Sequence, residues 1–146
     1  MPSLTISRAI RDAIVVHARA ENPNEACGII VGSDWAATGG RPLRYQPCRN
    51  EAASPSRYEV HPQDLYRLMV AADDADQVFW GVVHSHTRTP ARPSPTDVGL
   101  AFYPDALYVL VSLSPDEADP VTGAESLRAW RIVDGVASEV ATFLVD

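Results

Sequence analysis

Ile6, Ile10 and Ile14 recur every fourth residue, and Ala13 and Ala18 extend the same apolar stripe, so residues 7 to 21 are predicted as an amphipathic helix. Ser7 suits its N-cap, and Asn22-Pro23-Asn24 ends it. Ala26 to Gly32 is a short apolar run between turn residues and reads as a buried strand, with Glu25 at its entrance. Leu43 to Cys48 alternates and is expected to pair with that strand across a loop carrying Thr38-Gly39-Gly40. After a loop over 50–56 and a brief strand over 58–60, Pro62 suits a first helical turn. Leu65, Leu68, Met69 and Ala72 carry that helix to about Asp76.

The second half reads in the same way. Val78 to His86 is expected as the central strand, Thr87 to Pro93 as a Pro-rich loop, and Ser94-Pro95-Thr96-Asp97 as the opening of a helix reaching Tyr103. Ala106 to Leu113 is apolar on both faces, the pattern of a strand covered on both sides. Ser126 to Val133 alternates, Asp134-Gly135 makes a two-residue hairpin turn, and Val136 to Val145 returns as one last strand. No repeat or linker interrupts the series. The expectation is an α/β (α+β) chain, a single domain over 1–146 with a mixed central sheet flanked by helices.

Composition narrows the chemistry. At 146 residues roughly 70% of the unfolded surface can be buried, so folding needs neither a disulfide nor a structural metal. A net charge of −7 argues against a phosphate backbone as the main partner, and no nucleic acid is expected. No apolar run approaches the ~20 residues of a membrane span, and the first residues carry no basic segment leading into an apolar one. The expectation is a cytoplasmic protein in which Cys27 and Cys48, lacking a CxxC spacing, are two packed thiols.

Candidate chemistry centres on His84-Ser85-His86, followed after seven residues by Ser94 and then by Asp97. On a strand, side chains two apart share a face about 6.6 Å along the backbone, so both imidazoles reach one ion. A catalytic zinc typically takes three protein ligands and leaves one position for solvent, and His84, His86 and Asp97 are a set of that number and type. The ion would lower the pKa of its water toward ~7 and polarise a carbonyl, which points to hydrolysis. Ser94 to Asp97 taken alone reads better as a helix cap, and the two readings coexist if Ser94 caps while its hydroxyl faces the site. Glu25 alone reads as a solvated charge. If its strand lies beside the one ending at His86, the carboxylate becomes a general base. His17 and His61 read as structural or surface residues.

Glu25, His84-x-His86, Ser94 and Asp97 together resemble the complete motif of the JAMM (MPN+) metalloproteases. Asn24 to Gly28, His84 to Thr87, Pro93 to Val98, Tyr108 to Ser112 and Arg131 to Gly135 are similar to the Mec-type peptidases of actinobacteria. The resemblance implies a JAMM/MPN fold similar to cytidine deaminase, one Zn2+ on His84, His86 and Asp97, Glu25 activating water, and Ser94 stabilising the oxyanion. It also implies a substrate: a small ubiquitin-like sulfur-carrier protein whose C-terminal Gly-Gly bears a new cysteine, released in cysteine biosynthesis. Arg88 and Arg92 could steer acidic groups of such a carrier, although two arginines on a loop are more often simply solvated.

Three other readings stand beside this one. The carrier could serve another sulfur pathway, such as thiamine, molybdopterin or a natural product. A non-catalytic MPN-type interaction module usually has drifted ligand positions, and none has drifted here. Deaminase-like zinc hydrolases use His-x-Glu with Pro-Cys-x-x-Cys, which this chain lacks. Self-association stays open, and the chain lacks the insertions with which eukaryotic relatives hold linked ubiquitins.

Overall fold

The computed structural model describes residues 3–146. Its main sheet takes the order β3-β2-β4-β5-β6-β7, formed by β2 (Cys27–Gly32), β3 (Pro42–Cys48), β4 (Val78–His86), β5 (Leu107–Ser112), β6 (Ser126–Val133) and β7 (Val136–Val140). Only β4 and β5 run parallel; the other neighbours are antiparallel. Parallel neighbours need a crossover, and the segment between them carries the short helix α3 (Pro95–Gly99). Every residue of β5 is buried, as its two apolar faces require.

Helices cover both faces. In α1 (Arg8–Glu21), Ser7 caps the start by accepting the Ile10 N–H at 3.2 Å, and the buried stripe is Ile10, Ile14, Val15 and Ala18. That stripe packs with Ile30, Val83 and Val109 on one side of the sheet. On the other side α2 (Pro62–Asp74) sets Leu65, Leu68 and Ala72 against a core containing Ile29, Val31, Val82 and Leu110. His61 caps α2 through Nδ1, and His17 Nδ1 meets the Tyr45 hydroxyl at 2.7 Å; neither histidine falls in a metal-type cluster among the described residues. Both thiols are buried and unbridged, on directly opposed residues of β2 and β3.

One irregularity decides which side chains face the α2 side. The pairing of β4 with β2 skips from Gly81 to Phe79, so Trp80 is an extra residue. The bulge turns Trp80 into the α1 core, while Phe79 and Val82, three apart, both stay on the α2 side. From Val82 onward the strand alternates normally, which carries His84 and His86 to that same side.

Three expectations need correction. Val136 to Val145 is two strands: after Ala141 the chain leaves the main sheet, and β8 (Thr142–Val145) pairs in parallel with β1 (Leu4–Ser7), which the helical pattern concealed. The helix opened by Ser94 ends at Gly99 instead of Tyr103, because the Tyr103 N–H is taken by the Tyr108 hydroxyl at 3.0 Å and Pro104 follows. Residues 58–60 form no strand, only an isolated bridge from Val60 to Asn50. No helix among the described residues is long and apolar enough to cross a membrane.

Candidate metal centre

His84 and His86 end β4, and Asp97 sits in the first turn of α3; all three are buried. Their nearest atoms form a small triangle. His84 Nε2 lies 3.2 Å from His86 Nε2 and 3.2 Å from Asp97 Oδ2, and the His86 Nε2 to Asp97 Oδ2 distance is 3.0 Å. Ligand atoms ~2.05 Å from a tetrahedral ion stand about 3.3 Å apart, so the triangle has the edge length that zinc-type coordination demands. The three side chains form a cluster able to hold a metal ion.

Protonation agrees with that reading. His86 Nδ1 lies 2.7 Å from the Pro90 carbonyl, which can only accept, so Nδ1 carries a proton; burial acts to lower the ring's pKa, but its hydrogen bonds to Asp97 and Pro90 outweigh that and hold it above its ordinary value in the metal-free protein. Burial holds the His84 pKa below its ordinary value, which keeps that ring neutral. For Asp97, burial acts to raise the pKa, but hydrogen bonds from His84, His86 and the Ser94 N–H outweigh it and hold the carboxyl well below the usual carboxylate range. Metal binding takes two neutral imidazoles and a carboxylate, so an ion entering this cluster would displace the Nε2 protons that Asp97 accepts.

The loop and helix that deliver Asp97 are built from their own sequence. Ser94 Oγ accepts the Asp97 N–H at 3.1 Å while Asp97 Oδ2 accepts the Ser94 N–H at 2.8 Å, a complete capping box with Pro95 in the first turn. The cap and the site are therefore one device. Because Ser94 Oγ accepts from the helix, its own hydroxyl hydrogen remains to be donated. Trp130 Nε1 donates to the Ala91 carbonyl at 3.1 Å and Ser112 Oγ to the Thr89 carbonyl at 2.7 Å, which ties down the loop that presents Pro90.

Glu25 is not a solvated charge. Its side chain is 4% exposed, and Oε1 is buried without a hydrogen-bond partner. The antiparallel register pairs Cys27 with His84; two more residues along it, Glu25 comes opposite His86. Ser85 locks that end of the pairing twice, accepting the Ala26 N–H on Oγ at 2.8 Å and donating its own N–H to the Ala26 carbonyl at 3.0 Å. Burial pushes the Glu25 carboxyl up to about 7, with His86 opposing and Asp97 adding to the rise. All five candidate residues thus fall in one neighbourhood. Arg88 and Arg92 are exposed on the loop bearing Pro90.

Sequence reasoning missed Ser85 as the register lock, the Pro90 carbonyl, and Tyr58, whose ring stacks on His84. Only Ser85, lying between the two histidines, carried any local signal. Tyr58 also lines a groove of about 760 Å³ that runs past Val60, Leu65, Thr96, Leu100 and Tyr103.

Comparison with known proteins adds an independent line. Residues 7–133 match the family model Prok-JAB, prokaryotic homologs of the JAB domain. The chain is 41% identical over 143 residues to the CysO-cysteine peptidase of Mycobacterium tuberculosis, covering 98% of this chain and 92% of that protein. The solution structure of a Desulfitobacterium hafniense protein superposes with a TM-score of 0.78 at 28% identity, covering 98% of this chain and 93% of the other. A JAB1/MPN domain protein from Archaeoglobus fulgidus shares the fold, with a TM-score of 0.57 at 18% identity over 99% of this chain and 98% of its own.

Proposed function

This chain belongs to the family of prokaryotic homologs of the JAB domain, and from that premise we propose that it is a zinc-dependent peptidase acting on a ubiquitin-like sulfur-carrier protein. The bond hydrolysed follows the carrier's C-terminal Gly-Gly, and the product is free cysteine. The observation that carries the reading is the 3.0–3.2 Å triangle of His84, His86 and Asp97 with the buried Glu25 carboxylate beside it. The near-full-length similarity to a CysO-cysteine peptidase supports the substrate.

His84, His86 and Asp97 hold the ion. When bound, it supplies Lewis acidity, acidifying water and polarising the carbonyl oxygen under attack. Glu25, with a carboxyl near neutrality, takes the proton from the attacking water and returns it to the amine of the departing cysteine. Ser94 donates its hydroxyl to the oxygen that becomes negative, a fixed donor that needs no reorganisation during the reaction. The groove that Tyr58 and Thr96 line is where an extended carrier tail would lie, held by main-chain contacts that suit glycine. A cytoplasmic setting fits the two buried free thiols, and the whole chain acts as one domain.

Intact-mass analysis of carrier-cysteine adducts incubated with the zinc-loaded protein tests this reading. The expected result is loss of one cysteine from a diglycine-ending carrier; unchanged mass for every such carrier of the same genome refutes the substrate. The Glu25→Gln variant is expected to keep its zinc and lose turnover by ~10²-fold or more. Loss of zinc in that variant would make Glu25 a ligand and not a base.

A further inference from the structure

His84 and His86 aim the same atom at the same point, yet they are held differently. His86 is fixed by the 2.7 Å contact from Nδ1 to the Pro90 carbonyl. His84 Nδ1 is buried with no hydrogen-bond partner among the described residues, so apart from Nε2, the atom offered to the ion, no ring nitrogen holds the rotation about its Cβ–Cγ bond. Metal-bound histidines ordinarily depend on such a partner for their orientation. What lies against His84 is the face of Tyr58, with ring centroids 4.2 Å apart and an interplanar angle of 19°.

We propose that Tyr58 is a positioning residue of the metal centre, its ring face fixing the plane of His84 and hence the direction of the Nε2 lone pair. The proposal rests on the reading of His84 as a metal ligand. A near-parallel stack resists rotation of the imidazole because any turn about Cβ–Cγ drives a ring edge into the phenol face, while sliding within the plane is limited by the strand. The phenol hydroxyl is not required for this, and the ring is.

Tyr58 can act as a stop only if its own position is fixed, and the segment over 49–61 is closed at its base. The Glu51 N–H donates to the Glu59 carbonyl at 2.7 Å and the His61 N–H to the Arg49 carbonyl at 2.9 Å. Asn50 is fully used: Nδ2 donates to the carbonyls of Glu25 and Arg57, and Oδ1 accepts from the N–H groups of Ala52 and Glu59, each at 3.0 Å. The loop that braces His84 therefore also grips the backbone of Glu25. Ligand and base are aligned by one clamp.

The test is zinc affinity by chelator competition on the full-length protein, together with the visible absorption of the cobalt-substituted form at saturating metal. Tyr58→Phe keeps the stacking face and is expected to stay within about twofold of the parent in affinity, with an unchanged cobalt spectrum. Tyr58→Leu removes the face at similar bulk and is expected to lose ~10- to 100-fold in affinity with a shifted spectrum. A merely structural role would leave the spectrum of the saturated protein unmoved. Parental affinity and spectrum in Tyr58→Leu, or a Tyr58→Phe variant as weak as Tyr58→Leu, overturns the proposal. If Tyr58→Leu does not fold, Tyr58→Met carries the same two outcomes. His84→Ala separates the levels: unchanged affinity there removes the metal reading itself, whereas lost affinity there beside parental affinity in Tyr58→Leu removes only the role of Tyr58.

Discussion

Removing the charge of Glu25 should stabilise the metal-free protein, and by an amount that depends on pH. The carboxyl titrates near 4.5 when solvated and at about 7 in the fold, where burial disfavours its ionised form. Below pH 4.5 both states are protonated and the shift contributes nothing. Between 4.5 and 7 the unfolded chain ionises while the folded one keeps its proton, so folded stability falls as pH rises and levels off above 7. Integrating the two titrations puts the upper bound on the penalty below ~1 kcal/mol at pH 5 and at ~3 kcal/mol at pH 8, before residual solvent screening of the carboxyl reduces both. Glutamine carries no such penalty. With a urea slope of roughly 2 kcal/mol/M for a chain of this size, Glu25→Gln should raise the unfolding midpoint by less than ~0.5 M at pH 5 and by up to ~1.5 M at pH 8, in the presence of chelator. Bound metal favours the carboxylate and should shrink the gain. A gain that is independent of pH, or larger at pH 5 than at pH 8, would refute the assignment of Glu25 as a desolvated acid.

Three further outcomes are open to measurement. Burial pushes the thiols of Cys27 and Cys48 up to about 12, so alkylation of the native protein at pH 8 should run ~10³-fold slower than that of an ordinary exposed cysteine and become fast only on unfolding. Gly28→Ala sets a methyl group 2.5 Å from the Tyr45 ring and 2.6 Å from the Gln46 carbonyl, and chemical denaturation should show a loss of ~1–3 kcal/mol. Ser94→Ala removes one half of the capping box and the proposed oxyanion donor together. It should cost ~1 kcal/mol of stability, while adduct cleavage falls by ~10²-fold or more.

What the amino-acid sequence determined by itself is the local part of the site. The spacing of His84 and His86 is a strand period, and Ser94 with Asp97 is a helix cap; both depend on residues at most three apart, within the reach of backbone geometry. The two long helices, α1 and α2, and the two-residue turn at Asp134-Gly135 were legible for the same reason, with Asp134 and Gly135 both at positive φ as that turn demands. Other features belong to the tertiary structure. Glu25 becomes buried opposite His86 because Ser85 and Ala26, 59 residues apart, lock the register of two strands, and no periodicity within either strand encodes that pairing. Trp80 leaves the metal-site face through a bulge, and the last strand divides because β1 offers β8 a partner outside the main sheet. Tyr58 reaches His84 only through a loop closed by Asn50. Ligand spacing is a property of one segment, whereas burial, and with it the raised pKa of Glu25 and the fixed plane of His84, exists only once distant segments have excluded water together.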